Sequence, residues 1–214
     1  MATLLLRLAA PLQAWGSGSK FNIRLTEREP TKSGVVGMIA AAMGIQRNDD
    51  PKKLEPLNDL RFGVRVEKEG KLLRDFHMVH EMTGKQNSHV TERFYLSDAV
   101  FLAALESEDM EYLEQIVNAL NNPVYPLFLG RRSCPPTLPI VLGIRDGDLL
   151  CVLKTEPSFL ENNKPKRIIY DSDSSGVPVC DKPVSFSQLH RQYGYRMKKE
   201  EILKEYEHDP MAEL

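Results

Sequence analysis

The chain has 214 residues, of which 42% are hydrophobic and 27% are charged, so it is long enough to bury a core. Its net charge of −2 excludes a nucleic-acid binder that is basic over its whole surface. A local basic face is compatible with that charge. Three scattered cysteines without a C-x-x-C pair exclude a disulfide framework and a cysteine-ligated zinc site. With no leader sequence and no run of about 18 apolar residues, we expect a cytoplasmic protein that does not bind a membrane and needs no cofactor.

The first elements are a buried strand and a buried helix. Residues 3–8 are mostly apolar, which predicts a buried strand, and residues 9–30 form a long connection rich in glycine, serine and charge. A helix follows from Thr31, with Ser33 as its predicted cap. Apolar residues surround most of that helix, so we expect it to be covered on more than one side.

The middle of the chain predicts a hairpin between two strands. Residues 60–67 alternate between apolar and polar side chains, which indicates a half-buried strand, and residues 72–73 begin a return strand. Residues 75–95 predict a projecting polar hairpin, with Phe76 and Phe94 anchoring its ends. Residues 99–105, 109–121 and 139–142 predict a strand, an amphipathic helix and a last strand. The order β-α-β-β-α-β is that of a ferredoxin-like domain in an α+β fold.

The signals are weaker in the last third of the chain. Residues 149–153, 167–170 and 184–186 predict strands of a small second sheet, and residues 172–183 predict a loop. Residues 196–206 predict a charged helix. The predicted division is therefore a domain over 1–147 and a smaller region over 148–214.

Three separate blocks combine turn residues with basic side chains: residues 6–16, 30–37 and 129–136. Backbone amides and fixed cations at such turns can approach a phosphate. In the second block the start of the helix, next to Lys32, is a candidate anion site, although the Walker pattern is absent. Ordinary helix capping with a solvated lysine explains the same residues. The three blocks together predict an RNA-binding subunit.

Basic residues also occur at every fourth position before that helix. Lys20, Arg24, Arg28 and Lys32 would lie along one side of an extended chain and follow a phosphate backbone. Glu27 and Glu29 interrupt the series, so a solvated loop remains an alternative. Trp15, the only tryptophan, fits either core packing or stacking on an RNA base.

The hairpin segment carries three of the five histidines, His77, His80 and His89. One hypothesis is a metal-independent ribonuclease in which a histidine is the base, Lys85 supplies charge and Tyr95 donates a proton. No spacing here fixes such a site or supplies three metal ligands. A polar projecting hairpin without catalysis is the favoured interpretation.

Taken together, several motifs resemble the Cas-five family of CRISPR-associated proteins, in its type I-E branch. They are Leu6-Arg7-Leu8, Pro11 to Gly16, Pro30 to Gly34, Gly44 to Asp49, Asp75-Phe76-His77 and Gly130 to Pro135. The resemblance implies a ferredoxin-like RAMP domain with a thumb near residues 75–95. It also implies a non-catalytic subunit of the Cascade complex that holds the 5′ handle of the CRISPR RNA (crRNA) and caps the guide filament.

The implied partners are the backbone subunit and the large subunit that reads the PAM. Relatives in type I-C systems process precursor RNA themselves, so a metal-independent endoribonuclease is the alternative function. The residues predicted to contact RNA are Gln13, Trp15, Lys20, Arg24, Arg28, Lys32, Ser33, Gln46, Arg47, His77, His80, Lys85, Asn87, Arg131, Arg132 and Ser133.

Overall fold

The computed structural model describes residues 1–16, 22–80, 88–160, 165 and 167–203 of the chain. It shows a mixed α and β fold dominated by antiparallel strand pairs, which confirms the predicted combination of helices and sheets. Lys20, Lys85 and Asn87 lie outside the described residues, as does the centre of the predicted hairpin.

Eleven strands and four α-helices make up the described fold. The strands are β1 (Ala2–Ala9), β2 (Leu12–Gln13), β3 (Ile23–Arg24), β4 (Arg61–Lys68), β5 (Lys71–His80), β6 (Ser88–Ser97), β7 (Val100–Ser107), β8 (Val141–Asp146), β9 (Arg167–Asp171), β10 (Val177–Ser185) and β11 (Gln192–Ile202). The helices are α1 (Lys32–Ala42), α2 (Glu55–Asp59), α3 (Met110–Asn121) and α4 (Leu149–Thr155), with a 3-10 turn at Pro51–Leu54 before α2.

The larger sheet has seven strands in the order β10-β11-β9-β4-β7-β1-β8. Every neighbouring pair in it is antiparallel. Part of this sheet has a βαββαβ chain order, formed by β1, α1, β4, β7, α3 and β8 with other elements between them. The four strands of this set lie side by side in the order β4-β7-β1-β8. The predicted strand over 3–8 is confirmed as β1, which lies between β7 and β8.

Helices cover both faces of this sheet. Leu4, Leu6 and Leu8 of β1 pack into the core beneath α1 and α3, whereas Leu5 packs into a second cluster with α4. Successive side chains of a strand point to opposite faces, so a strand that is buried along nearly its whole length needs two covers. The amphipathic helix predicted over 109–121 is confirmed as α3, capped by Asp109.

The prediction that residues 60–67 form a half-buried strand is wrong about burial. In β4, Arg65 and Glu67 are each 2% exposed, and Nε of Arg65 donates a 2.7 Å hydrogen bond to Oε1 of Glu67. Nη1 of Arg65 also donates to the carbonyl oxygen of Leu153 in α4 at 2.7 Å. Because α4 supplies acceptors, the polar side of β4 is buried too.

The last third of the chain needs most correction. Residues 149–153 form helix α4 and not a strand, since Asp148 caps the amides of Leu150 and Cys151 at 3.1 and 3.0 Å. The helix predicted over 196–206 is instead strand β11, and β10 occupies much of the predicted loop. The predicted strand over 167–170 is confirmed as β9. Because β9 pairs with β4, these strands extend the main sheet, and the prediction of a small second sheet there is wrong.

A separate small sheet is built on the β5–β6 hairpin, two paired strands of ten residues each. Lys71 lies opposite Ser97 at its base, and His80 lies opposite Ser88 at the last described pair. Short strands β2 and β3 pair with β6, the first antiparallel and the second parallel. The long connection over residues 9–30 is therefore attached to the base of the hairpin.

Candidate nucleic-acid interface

The three predicted blocks do meet, around the indole ring of Trp15. The Trp15 side chain is 1% exposed, and its Nε1 donates a 3.0 Å hydrogen bond to Oε1 of Gln13. Gln13 is itself buried and donates through Nε2 to the carbonyl oxygen of Ala99 at 2.7 Å. Because both side chains lie inside the core with their polar atoms bonded, the predicted RNA contacts of Gln13 and Trp15 are wrong.

Helix α1 begins against the same ring. The N-cap is Thr31, whose Oγ1 accepts a 3.2 Å hydrogen bond from the amide of Gly34, so the prediction that Ser33 caps the helix is wrong. A Cβ atom at Gly34 would lie 2.8 Å from Cε3 of Trp15. This position therefore requires glycine for the helix to approach the indole.

An anion does sit at the start of α1, but it is the protein's own Asp181. The amide of Lys32 donates to Oδ2 of Asp181 at 3.0 Å. Nζ of Lys32 donates to the carbonyl oxygen of Leu60 at 2.8 Å and to Oδ2 of Asp171 at 3.0 Å. Burial lowers the pKa of Lys32, against the opposing effect of the Asp171 carboxylate. Lys32 and Ser33 are 4% and 8% exposed, so their predicted RNA contacts are wrong.

The third block closes this arrangement, which we call the Trp15 junction (residues 13–15, 31–34 and 129–131). The amide of Ala14 donates to the carbonyl oxygen of Leu129 at 3.1 Å. Gly130 has a φ of +85°, and a Cβ atom there would lie 1.6 Å from the carbonyl oxygen of Ala14. Only glycine therefore fits where the first and third blocks cross.

Arg131 fastens the small sheet to the junction. Its Nη1 donates to the carbonyl oxygen of Phe94 at 3.0 Å, and its Nη2 donates to those of Arg24 and Leu25 at 2.8 and 3.2 Å. The guanidinium also lies 4.7 Å from the centre of the Tyr95 ring. These contacts assign Arg131 a positioning role, because its Nη donors serve backbone carbonyls that a phosphate would have to displace.

Two arginines lie side by side where strand β3 pairs with the β5–β6 hairpin. Arg24 of β3 and Arg93 of β6 are direct partners across the parallel strand pair, so their side chains leave the same face. Arg24 is exposed, and Nε of Arg93 is buried with no hydrogen-bond partner among the described residues. Two like charges in register repel one another, and an unsatisfied buried donor is unfavourable, so an anion between them would relieve both. Arg93 was missing from the predicted contacts.

From Arg93 outward, the described side chains of that hairpin face are polar, whereas Leu73 nearer its base is 40% exposed. Asp75 lies opposite Arg93, and Nε2 of His77 lies 3.0 Å from Oδ2 of Asp75. His89 is on the same face, two residue pairs beyond His77. His80 is described only by its backbone pairing in β5.

The opposite face of the hairpin exposes large apolar side chains around an ion pair between Arg74 and Glu92. Its exposed large side chains are Leu72 (62%), Phe76 (67%), Met78 (53%) and Val90 (52%). Phe76 therefore does not anchor the hairpin base as predicted. That role belongs to Tyr95 and Leu96, each 3% exposed. Large apolar side chains exposed together on one face of a hairpin are typical of a contact surface.

The other predicted contact residues are more scattered. Arg132 and Ser133 are exposed at the edge of the junction. Arg28 is exposed beside a polar pocket that Glu29, Glu69, Arg167 and Glu200 also line. Gln46 and Arg47 are exposed beyond the far end of the 11-residue helix α1, about 16 Å along its axis from Thr31. The structure thus separates this last pair from the three blocks.

Two features are absent from the part of the chain that the structure describes. Within it, no group of three histidine, cysteine or acidic side chains is arranged to hold a metal ion. No helix among the described residues has the length and apolar character needed to cross a bilayer.

Comparison with known proteins identifies related chains. The family model described as CRISPR-associated protein (Cas_Cas5) matches residues 3–197. The CRISPR system Cascade subunit CasD of Escherichia coli strain K12 is 38% identical over 157 residues, which are 65% of this chain and 70% of that protein. Two solved structures share the fold over 94% of this chain. One, described as a Cas protein, has 38% identity over 94% of its own chain and a TM-score of 0.76. The other, from a CRISPR RNA-guided surveillance complex, has 32% identity over 89% of its own chain and a TM-score of 0.77.

Proposed function

The chain belongs to the Cas5 family of CRISPR-associated proteins, as the sequence motifs predicted, and on that premise we propose that it is a non-catalytic subunit of a type I-E guide complex. In this proposal it holds the 5′ handle of the crRNA and caps the guide filament. The relation to the E. coli Cascade subunit and to a chain of an RNA-guided surveillance complex supports membership of such an assembly.

The observation that carries the proposal is the arginine pair on the hairpin. Arg24 and Arg93 lie side by side, and Nε of Arg93 has no partner among the described residues. A phosphate of the handle bound between them would remove the repulsion and satisfy that donor. The Trp15 junction and Arg131 hold this pair in place, so the contact is preorganised.

The architecture supports the same proposal. The order β4-β7-β1-β8, with α1 and α3 on one face, is the strand order of a ferredoxin-like domain, and the β5–β6 hairpin is inserted between β4 and β7. We take this hairpin to be the thumb implied by the family resemblance. Its polar face would meet RNA, and its apolar face would meet the backbone subunit, which leaves other surfaces for the large subunit.

The test compares Arg24→Ala/Arg93→Ala with wild type, using the purified chain and fluorescein-labelled RNA of its own 5′ handle. Loss of two phosphate contacts should weaken binding and reduce the log–log salt slope by about 1.4 for a single strand. Lys52→Ala, which changes an exposed lysine on the 3-10 turn, is the control. Unchanged affinity and salt slope in the double variant would contradict the proposal.

One observation favours the alternative of a metal-independent endoribonuclease: the contact between His77 and Asp75 is accessible on the hairpin. Against it, Tyr95 is 3% exposed beneath Arg131 and cannot serve as a proton donor to RNA. Incubating the protein with its precursor repeat RNA in EDTA decides the matter. We expect RNA retention without cleavage; cleavage that is lost in His77→Ala would establish the enzyme.

A further inference from the structure

Strand β11 uses its two sides differently. On one side, Arg196 donates to both oxygens of Asp181 at 2.5 and 2.8 Å, and Lys198 donates to Glu29 at 2.8 Å. On the other side, Glu201 pairs with Lys154 of α4 at 2.6 Å. Side chains alternate along a strand, so Tyr193, Tyr195, Met197 and Lys199 share the side of Glu201.

The side that carries the tyrosines is not covered by the described protein. Helix α4 buries Ile168 and Tyr170 of the adjacent strand β9, but it does not extend over the outer part of β11. Tyr195 is 73% exposed, and Tyr193 and Met197 are each 37% exposed. Two exposed aromatic rings two residues apart, about 7 Å along the strand, form a flat aromatic surface.

The charged residues nearest to these rings in the chain are all basic. Residues 182–199 contain no aspartate or glutamate and carry five lysine or arginine residues. Arg196 and Lys198 are neutralised beneath the sheet. Arg191 and Lys199 are exposed and make no ion pair with a described residue, and they flank the tyrosines at the two ends of the row. The aromatic surface therefore has a positive rim.

We propose that this side of β11 is a second nucleic-acid-binding surface, which takes an unpaired stretch of RNA or DNA. Tyr193 and Tyr195 stack on successive bases, and Arg191 and Lys199 contact the phosphates on either side. Exposed aromatic residues on a strand, with cations beside them, bind single strands with little sequence preference. The positive rim favours a polyanion over an uncharged apolar partner.

This surface is separate from the arginine pair of the hairpin. Ile202, at the end of β11, pairs with Arg167, which pairs with Val66 near the end of β4 that leads into the hairpin. The tyrosines lie at the other end of β11, beyond its pairing with Asp171. The second surface thus goes beyond the proposed binding of the handle and does not depend on it.

Crosslinking tests the proposal on the purified full chain. A 12-nucleotide oligonucleotide that contains 5-iodouracil is irradiated with the protein, which is then digested with trypsin. Cleavage after Arg191 and Arg196 releases the pentapeptide Gln192–Arg196 with both tyrosines. We expect crosslinked nucleotide on this peptide, and we expect it to persist in Arg24→Ala/Arg93→Ala.

Binding of the same oligonucleotide gives the second measurement. In the Arg24→Ala/Arg93→Ala background, Tyr193→Ala/Tyr195→Ala should bind about tenfold or more weakly, whereas the corresponding Phe variants should keep most of the affinity. Tyr125→Ala, which removes a tyrosine that is 40% exposed elsewhere, is the matched control. Absence of the crosslinked peptide, or equal losses in the Tyr125 control, would overturn the proposal. So would normal binding combined with failure to assemble with other subunits, which would make the surface a protein interface.

Discussion

At the Trp15 junction the polar side chains point inward, and on the β5–β6 hairpin they point outward. Gln13, Lys32 and Arg131 donate their hydrogen bonds to the protein's own carbonyl and carboxylate groups. Arg24 and Arg93 lie on a neighbouring strand pair, and the buried Nε of Arg93 has no partner in the described chain. The difference shows that a motif of glycine, arginine and lysine can be a structural clamp, while the two arginines that we propose to bind RNA lie on the element that the clamp holds.

The largest effect that tests this comparison is expected from Gly130→Ala. A Cβ atom would overlap the carbonyl oxygen of Ala14 at 1.6 Å, at a φ of +85°, so the backbone crossing must separate. We expect a loss of at least about 4 kcal/mol in the free energy of unfolding, measured by urea denaturation. The control is Gly194→Ala, where the nearest atom is 3.5 Å away. If the two variants are equally stable, the junction is not a clamp.

Next in size is the contrast between two aromatic residues. Trp15→Ala should cost about 3–5 kcal/mol of stability, because it empties the centre of the junction. Phe76→Ala should change stability by no more than about 0.5 kcal/mol, since that ring is 67% exposed, but it should weaken assembly with the neighbouring subunit. Thermal melting and co-purification measure the two effects. A stable Trp15→Ala variant with impaired RNA binding would reverse our assignment of roles.

The smallest effect concerns Glu29, which ties the segment before α1 to the main sheet through Lys198 and Arg167. Burial alone would raise the pKa of Glu29, but those two cations hold it below its ordinary value of 4.5. Its stabilisation is therefore present above pH 4.5 and is lost as the pH falls below that value.

Glu29→Gln should cost about 1 kcal/mol near pH 7, and its melting temperature should approach that of wild type as the pH falls below 4.5. The control Glu114→Gln, at an exposed position of α3, should match wild type at each pH. A constant difference between Glu29→Gln and wild type at every pH would show that the lost contacts are not ionic.

In the candidate site, the sequence predicts the hairpin but not its arginine pair. The polar segment over residues 75–95 predicts a hairpin, and β5 and β6 pair as one. The return strand predicted from residues 72–73 is wrong about its partner, because β5 pairs with β6 and β4 pairs with β7 and β9. Arg93 was missed because its importance depends on the parallel pairing of β3 with β6, which joins residues about 70 positions apart. Counting residues outward from the centre of the predicted hairpin would have placed Arg93 opposite Asp75. Such counting could not have shown that Arg24 pairs with Arg93.

Strands β9 to β11 show where local patterns failed. By pattern, the charged residues of 196–206 fit an exposed helix. In the structure, residues 196–202 belong to a strand, in which Arg196 and Lys198 lie on one side and donate to the acceptors Asp171, Asp181 and Glu29. The apolar run over 149–153 fits a strand or a helix equally well by pattern, and the Asp148 cap was the signal that favoured a helix.

By itself, the sequence determined the family, the core strands β1, β4 and β7, and the amphipathic helix α3, because hydrophobic period and motif order are local properties of the chain. The tertiary structure alone decided which cations face inward. From the sequence, Lys32 and Arg131 are predicted to bind phosphate. In the fold, Asp171 and Asp181 lie within about 3 Å of Lys32, and carbonyl oxygens of β3 and β6 lie within about 3 Å of Arg131. A charged group is neutralised by what folds against it, and the Asp171 carboxylate that pairs with the Lys32 ammonium lies 139 positions away in the chain.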